Sequence, residues 1–184
     1  MNLANRISIA RIILVPFFIA AIVYSRMDIA LIFFILAIIS DGIDGFIART
    51  FKQKTQLGTI LDPMADKLLL VSAYICLSII NHIPPHLKLP PYVPIIIISR
   101  DAMIVLGSIT VYVIKGDLKI MPSVLGKITT FFQMITIVSI LIKFEYSYVL
   151  WNLAALLTIL SGIDYIIKGS RLLSENHSTI KRTM

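Results

Sequence analysis

Residues 28–50 read DIALIFFILAIISDGIDGFIART, and this stretch decides the fold. A helix needs about 20 mostly apolar residues to cross the hydrocarbon core of a bilayer, and this stretch is long enough. No charged residue occurs between Asp28 and Asp41. A run of this length inside lipid must be helical, because each backbone group has to be satisfied within the segment. The stretch therefore predicts a membrane helix that carries two acids, Asp41 and Asp44, near its end.

The composition of the whole chain places the other residues in the same environment. Hydrophobic residues make up 58% and charged residues 15% of the 184 residues, against about 45–50% and about 25% in an ordinary soluble domain. Disordered chains are poor in apolar residues, so disorder is excluded as well. The single cysteine, Cys76, excludes an intrachain disulfide framework and a cysteine-rich zinc site. An integral membrane protein remains.

Apolar runs of spanning length predict six transmembrane helices in an all-α integral membrane protein. No internal repeat and no second domain are visible, so residues 1–184 are expected to form a single domain. The predicted spans are Ile7–Tyr24, Asp28–Ala48, Met64–Asn81, Tyr92–Ile114, Val124–Ile142 and Tyr148–Ile167.

The distribution of lysine and arginine predicts the orientation of these spans. Thirteen of the 17 lysines and arginines, Arg11 and Lys67 among them, fall on one side of the predicted spans, three fall on the other, and Arg100 lies within a span. An excess of positive charge marks the cytoplasmic side, so both termini are expected in the cytoplasm. The net charge of +7 is then a topology signal and an attraction to anionic lipid headgroups, and we expect no nucleic-acid partner.

Four of the ten acidic residues fall within positions 41–66: Asp41, Asp44, Asp62 and Asp66. A charged aspartate in mid-membrane costs about 2.5–3.5 kcal/mol, so four of them require neutralisation or access to water. Each pair is spaced three or four residues apart, which places its members on one helix face. A short link, Thr50–Leu61, makes the two helices antiparallel neighbours, so the four carboxylates are expected to converge near the inner surface.

A cluster of carboxylate oxygens suits a hard divalent cation, Mg²⁺ or Mn²⁺, and the absence of cysteine and histidine from it argues against zinc. Taken alone, Asp62 before Pro63 is equally typical of a helix start.

Small residues accompany the acids at helical spacing. Gly45 follows Asp44, Ala48 extends the same face, and Gly58 precedes Asp62 by four residues. Small side chains allow a helix or a ligand to approach the backbone closely, although a single glycine in a membrane helix usually serves packing. Arg49 is expected at the cytoplasmic mouth, where an anionic headgroup or phosphate would pass.

The joint pattern resembles the signature of the CDP-alcohol phosphatidyltransferase family. It reads D-x-x-D-G-x-x-A-R, eight residues, then G-x-x-x-D-x-x-x-D over residues 41–66, and no fixed position departs from the family signature. Two further stretches resemble the branch of the family whose acceptor is glycerol 3-phosphate: Asn2, Leu3, Asn5, Arg11 and Pro16 at the start, and Gly126-Lys127-Ile128-Thr129-Thr130 with Gln133 later. That branch often carries Arg-Glu in the fourth helix, and Arg100-Asp101 resembles the cardiolipin-forming branch instead.

The resemblance implies transfer of a phosphatidyl group from CDP-diacylglycerol to an alcohol with release of CMP, at the cytoplasmic face of the cell's inner membrane. It implies that Asp41, Asp44 and Asp62 hold the metal, and that Asp66 joins that site and takes the proton of the attacking hydroxyl. Membrane lipids surround the protein, and the resemblance also implies a homodimer.

The same resemblance implies that Gly45, Ala48 and Gly58 admit the cytidine and pyrophosphate, with Arg49 at the mouth. Glycerol 3-phosphate is the expected acceptor, and Arg100 and Lys127 are the cations expected to bind its phosphate. Two plainer interpretations stay open: Arg100 pairs with acids inside the membrane, and Lys127 is a positive-inside residue at a helix start.

Three rival functions stay open at this point. A cardiolipin synthase would use phosphatidylglycerol as the acceptor. A membrane prenyltransferase would show two separated aspartate-rich motifs and more helices. A cation transporter would place its acids near the bilayer centre on several helices, and often shows a repeat.

Overall fold

The computed structural model describes residues 3–50, 56–80, 83–85, 87–115 and 124–183. Six helices occur in these ranges, and no strand does. They are α1 Leu3–Val23, α2 Met27–Thr50, α3 Gln56–Ile79, α4 Tyr92–Lys115, α5 Val124–Leu141 and α6 Ser147–Thr183. The all-helical prediction is confirmed, and each predicted span lies largely within one helix.

Two helices extend well beyond the spans predicted from hydropathy. α3 begins at Gln56, where the sequence predicted Met64, and α6 continues to Thr183, where the sequence predicted Ile167. The prediction measured apolar length, whereas a helix that leaves the apolar region continues as long as its residues favour it. Leu57, Ile60 and Leu61 have the three- and four-residue spacing of one helix face. Asp62 therefore lies inside α3, and the interpretation of Asp62-Pro63 as a helix start is wrong.

The α1–α2 and α5–α6 connections are closed by the same backbone device. Ser25 (φ 59°) and Lys143 (φ 58°) adopt the left-handed conformation. The Arg26 amide donates to the Ala21 carbonyl at 2.8 Å, and the Phe144 amide donates to the Ser139 carbonyl at 2.9 Å. These contacts define the Schellman ending of a helix, which reverses the chain within a few residues. α1 with α2 and α5 with α6 consequently form tight hairpins.

The helices form two groups. α1 packs extensively against both α2 and α3, and α6 packs extensively against both α4 and α5. We call α1–α3 the N-terminal half and α4–α6 the C-terminal half. Contacts between the halves are smaller and run through α2 with α5, α3 with α4, and α3 with α5. Any site built from both halves therefore depends on few connections.

The protein has an apolar interior and an apolar exterior. All six helices contribute to a cluster of buried apolar side chains. Large apolar residues on every helix are also exposed, such as Phe17, Ile32, Ile95, Phe131 and Ile159. Several polar residues are buried as well: Arg11, Ser78, Arg100, Asp101, Thr129, Gln133, Thr136, Ser139, Ser147, Thr158 and Ser161. Such an apolar exterior marks a surface that meets lipid or a partner.

Two helical stretches in the described ranges are long and apolar enough to cross a membrane by length and composition. They are Val124–Leu141 and Ser147–Ser170, and Ile9–Val23 and Lys67–Ile79 are shorter apolar stretches. These stretches and the apolar exterior agree with a membrane protein.

Candidate active site

The four aspartates singled out by the sequence are carried by two helices of the N-terminal half. Asp41 and Asp44 belong to α2, and Asp62 and Asp66 belong to α3. The side chains of seven predicted site residues lie outside the described set: Asp44, Gly45, Ala48, Arg49, Gly58, Asp62 and Asp66. Among the side chains that are described, no group of three or more His, Cys, Asp or Glu residues lies close enough to hold a metal ion. Asp41 is the one predicted metal ligand in that set.

Asp41 is held by an arginine of the first helix. Arg11 Nη1 donates to Asp41 Oδ1 at 3.0 Å, and this ion pair joins α1 to α2. The Arg11 side chain is 0% exposed, while that of Asp41 is 38% exposed. A buried arginine needs a paired, hydrogen-bonded anion. The pair therefore fixes one carboxylate oxygen of Asp41 and leaves the carboxyl group accessible from one side.

Arg11 has a role that sequence reasoning missed. The sequence analysis assigned it to membrane orientation and to the resemblance at the start of the chain. A signal was available, because Arg11 lies within the predicted span Ile7–Tyr24, and an ionisable residue inside a span marks a paired or functional position. Its partner could not be read from the sequence, because the register between α1 and α2 is a tertiary property.

A second buried arginine lies in the C-terminal half. Arg100 Nη1 donates to Oδ1 of the adjacent Asp101 at 2.8 Å, and its Nη2 donates to Ser161 Oγ of α6 at 2.7 Å. Arg100 Nε is buried and makes no hydrogen bond to any residue that the structure describes. An unsatisfied buried donor is costly, so a nitrogen in this state can bind a ligand oxygen.

Asp101 connects the arginine to the N-terminal half. Its second oxygen, Oδ2, accepts a hydrogen bond from Lys67 Nζ of α3. Lys67 directly follows Asp66 in the chain. The sequence analysis had treated Lys67 as a topology residue, and the structure shows that it forms an ion pair between the two halves.

Lys127 is not brought to Arg100. It is exposed in the first turn of α5, whereas Arg100 is on α4. In the described ranges α4 and α5 do not contact each other, and α6 packs between them. A single small phosphate therefore cannot contact both cations in this arrangement.

The stretch that contains Lys127 contributes mainly to packing. Gln133 Nε2 donates to Thr158 Oγ1 at 3.1 Å, and the Thr129 hydroxyl lies 3.2 Å from the Leu157 carbonyl oxygen of α6. The Tyr74 hydroxyl of α3 donates to the Gln133 carbonyl at 3.0 Å. Hydrogen bonds of this kind hold helices together where apolar burial does not distinguish protein from lipid.

Comparisons with known proteins place these features in a family. The family model for CDP-alcohol phosphatidyltransferase matches residues 1–160. Three relatives carry the name CDP-diacylglycerol–glycerol-3-phosphate 3-phosphatidyltransferase. The Haemophilus influenzae protein is 34% identical, covering 93% of this chain and 96% of the relative. The Bacillus subtilis protein is 31% identical (91% and 95%), and the Aquifex aeolicus protein is 28% identical (94% and 98%). The chain belongs to the CDP-alcohol phosphatidyltransferase family.

Proposed function

We propose that the protein transfers the phosphatidyl group of CDP-diacylglycerol to glycerol 3-phosphate, giving phosphatidylglycerophosphate and CMP. The observation that carries the proposal is the similarity, over more than nine tenths of both chains, to relatives whose name states this reaction. The family assignment favours a transferase over a cation transporter or a prenyltransferase.

The donor site is proposed at the α2–α3 hairpin. Members of the family generally depend on a divalent metal ion, and Asp41, Asp44, Asp62 and Asp66 offer the oxygen donors that Mg²⁺ and Mn²⁺ prefer. A helix rises about 1.5 Å per residue. Asp44 is then about 9 Å from the end of α2 and Asp62 about 9 Å from the start of α3, while Asp41 and Asp66 are about 14–15 Å from the same ends. An antiparallel hairpin would bring these acids together at two matching depths.

The donor set fits a cation on chemical grounds as well. Asp41 is partly exposed although its Oδ1 is bound to Arg11, so its carboxyl group retains access to a further ligand. A bound divalent ion supplies neutralisation of the negative charge on the transferred phosphoryl group and on the leaving phosphate. Gly45, Ala48 and Gly58 would let the cytidine and pyrophosphate approach the backbone, with Arg49 at the entrance.

Asp66 is the proposed proton acceptor. The hydroxyl oxygen of the acceptor forms a bond to the phosphorus that carries the diacylglycerol, and the bond from that phosphorus to the CMP oxygen breaks. The proton of the hydroxyl passes to a carboxylate oxygen of Asp66 while CMP leaves with the bonding electron pair. A positioned base of this kind contributes about 10²–10⁴-fold to the rate.

The acceptor phosphate is proposed to bind Arg100. Lys127, which the sequence predicted as a second phosphate-binding cation, lies apart from Arg100 on α5 and is not included in this proposal. Arg100 is buried, is held in place through two nitrogens and retains the buried Nε. A guanidinium group has five N–H donors, and the contacts to Asp101 and Ser161 use two of them. The remaining donors suit a dianionic phosphate monoester better than the monoanionic diester of phosphatidylglycerol.

The membrane arrangement is proposed from the same features. All six helices would span the inner (cytoplasmic) membrane of the cell as one domain, with both termini and the site on the cytoplasmic side. The positive-inside distribution supports this orientation, and the apolar exterior supports spanning by every helix. We also propose a homodimer, on the family resemblance.

Cardiolipin synthesis is the second candidate, because Asp101 departs from the Arg-Glu pair that is frequent in the glycerol 3-phosphate branch. The two functions are separated by incubating the purified protein with CDP-diacylglycerol and either labelled glycerol 3-phosphate or labelled phosphatidylglycerol, followed by thin-layer chromatography. We expect labelled phosphatidylglycerophosphate and release of CMP. Product from phosphatidylglycerol alone would replace our proposal with the second candidate.

Metal removal tests the donor site in the same assay. We expect EDTA to abolish turnover and added Mg²⁺ or Mn²⁺ to restore it, because four carboxylates cannot bind a pyrophosphate without cations between them. Full turnover in the chelator would contradict the role assigned to the aspartates.

A further inference from the structure

One chain of polar contacts crosses three helices between the two halves. Lys67 of α3 and Arg100 of α4 bind the two different oxygens of Asp101, and Arg100 continues to Ser161 of α6. The halves share few other contacts. Asp101 therefore forms an ion pair between the helix that carries Asp66 and the helix that carries Arg100.

Among the side chains that the structure describes, the charge of this group is not balanced. It contains two cations, Lys67 and Arg100, and one carboxylate, Asp101. Arg100 and Asp101 are buried, whereas the Lys67 side chain is 40% exposed. A purely structural ion pair in a membrane is expected to be neutral, because an excess buried charge is expensive. One unit of positive charge is left over, which an anion bound beside Arg100 and Lys67 would neutralise.

The position of Lys67, next to Asp66 in the sequence, relates its contact with Asp101 to the proposed proton acceptor. Consecutive Cα atoms are about 3.8 Å apart, so the Lys67–Asp101 contact fixes α4 against the backbone next to Asp66. Consecutive helical residues do not point in the same direction. The contact that Lys67 makes with α4 is therefore compatible with a separate role for Asp66.

Arg100 lies against α6 at Gly162. A Cβ atom built on Gly162 would lie 3.6 Å from Arg100 Cγ, an ordinary contact distance, so the approach does not require a glycine. The neighbouring Ser161 then receives the hydrogen bond from Nη2. Arg100 is therefore held by an acid on its own helix and by a hydroxyl on the next.

We propose that Asp101 is a positioning residue that, together with Ser161, fixes Arg100 at a set distance from the proton acceptor of α3 and so determines affinity for a small phosphate-bearing acceptor. This inference rests on the proposed function, in which Arg100 binds the acceptor phosphate. Asp101 touches neither substrate. It acts through Arg100 on one side and through Lys67 on the other.

The first test compares Asp101→Asn with Asp164→Asn in purified full-length protein. Asp164 is a matched acid in α6 that pairs with Lys168 one turn away on the same helix. We expect Asp101→Asn to raise KM for glycerol 3-phosphate about tenfold, the scale of coupling between residues in contact, and to change KM for CDP-diacylglycerol less than about twofold. Asp164→Asn should change neither constant. Equal losses for both substrates would show that Asp101 is part of the scaffold only.

A double-mutant cycle distinguishes a positioning role of Asp101 from a purely structural one. If Asp101 acts through Arg100, Arg100→Gln with Asp101→Asn should have the same KM for glycerol 3-phosphate as Arg100→Gln alone. Multiplying effects would contradict the inference. If Asp101→Asn does not fold, Ser161→Ala against Ser161→Thr decides: the alanine variant should raise KM for glycerol 3-phosphate and the threonine variant should restore it.

The outcome for the unmodified protein separates this inference from the proposed function. If the unmodified protein ignores glycerol 3-phosphate and uses phosphatidylglycerol, the proposed function fails. If it uses glycerol 3-phosphate but Asp101→Asn and Ser161→Ala leave KM for that substrate unchanged, the positioning role fails alone.

Discussion

Arg11 and Arg100 are both buried arginines that hold an aspartate, but the two pairs are built in opposite ways. Arg11 of α1 reaches across to Asp41 of α2, thirty positions away in the chain, and that aspartate is partly exposed. Arg100 holds its own neighbour, Asp101, which is buried and shared with Lys67. In the N-terminal half the acid, Asp41, is the proposed ligand of the metal, and the arginine holds it in place. In the C-terminal half the arginine, Arg100, is proposed to bind the acceptor phosphate, and the acid holds it in place.

The difference shows that a buried ion pair does not by itself reveal which partner is functional. In the proposed function, the functional partner is the partly exposed Asp41 in the first pair and Arg100 in the second. The three experiments below remove the proposed functional partner, or its support, from each half.

The largest effect is expected on the hairpin that contains Asp41. Asp66→Asn should lower the single-turnover rate by about 10²–10⁴-fold, because it removes the proton acceptor, while it retains binding of CDP-diacylglycerol. Asp41→Asn should lose both the rate and the binding, because it removes a metal ligand. An Asp66→Asn protein that keeps most of the unmodified rate would contradict the assignment of the base.

A smaller effect is expected when Arg100 is replaced. Arg100→Gln should raise KM for glycerol 3-phosphate about ten- to a hundredfold, because a hydrogen bond to a charged group contributes about 1.5–3 kcal/mol. KM for CDP-diacylglycerol should change far less. If both constants rose together, Arg100 would belong to the nucleotide-lipid site or to the scaffold, and the two halves would not differ in the way proposed.

The smallest effect is expected at Arg11. Arg11→Gln keeps a hydrogen-bond donor for Asp41 but removes the positive charge that competes with a cation for the same carboxylate. We expect Mn²⁺ to bind about three- to tenfold more tightly, which corresponds to about 0.7–1.4 kcal/mol, as measured by electron paramagnetic resonance of free Mn²⁺. Arg26→Gln, at an exposed arginine in the α1–α2 connection, serves as the control. Weaker Mn²⁺ binding would mean that Arg11 orients Asp41 more than it competes with the metal.

The helix bounds could be predicted from sequence where an apolar run coincides with the helix. α4 and α5 begin at the predicted residues, Tyr92 and Val124, because an apolar run defines them. The start of α3 and the end of α6 were misplaced, because polar or mixed residues continue a helix without a hydropathy signal.

The site was predicted unevenly for a related reason. The aspartate motif lies in one hairpin, so its spacing is visible in the sequence. Asp41 pairs with Arg11, 30 positions away, and Asp101 pairs with Lys67, 34 positions away. Such pairs could not be predicted from the sequence, because they depend on how the helices pack. The alternative kept open by the sequence was that Arg100 pairs with acids of neighbouring helices, whereas the acid that it contacts among the described residues is Asp101 on its own helix.

The exposure of large apolar side chains on every helix affects the heat-capacity change of unfolding. When a soluble domain unfolds, its heat capacity rises by about 12–15 cal/mol/K per residue, because buried apolar surface becomes hydrated. Here Phe17, Ile95 and Phe131 already face outward, so separating the helices within a bilayer would transfer apolar surface from protein to lipid and bring little of it into water. The heat-capacity change of that step should be small, and its enthalpy should come largely from hydrogen bonds such as those of Gln133 and Ser161.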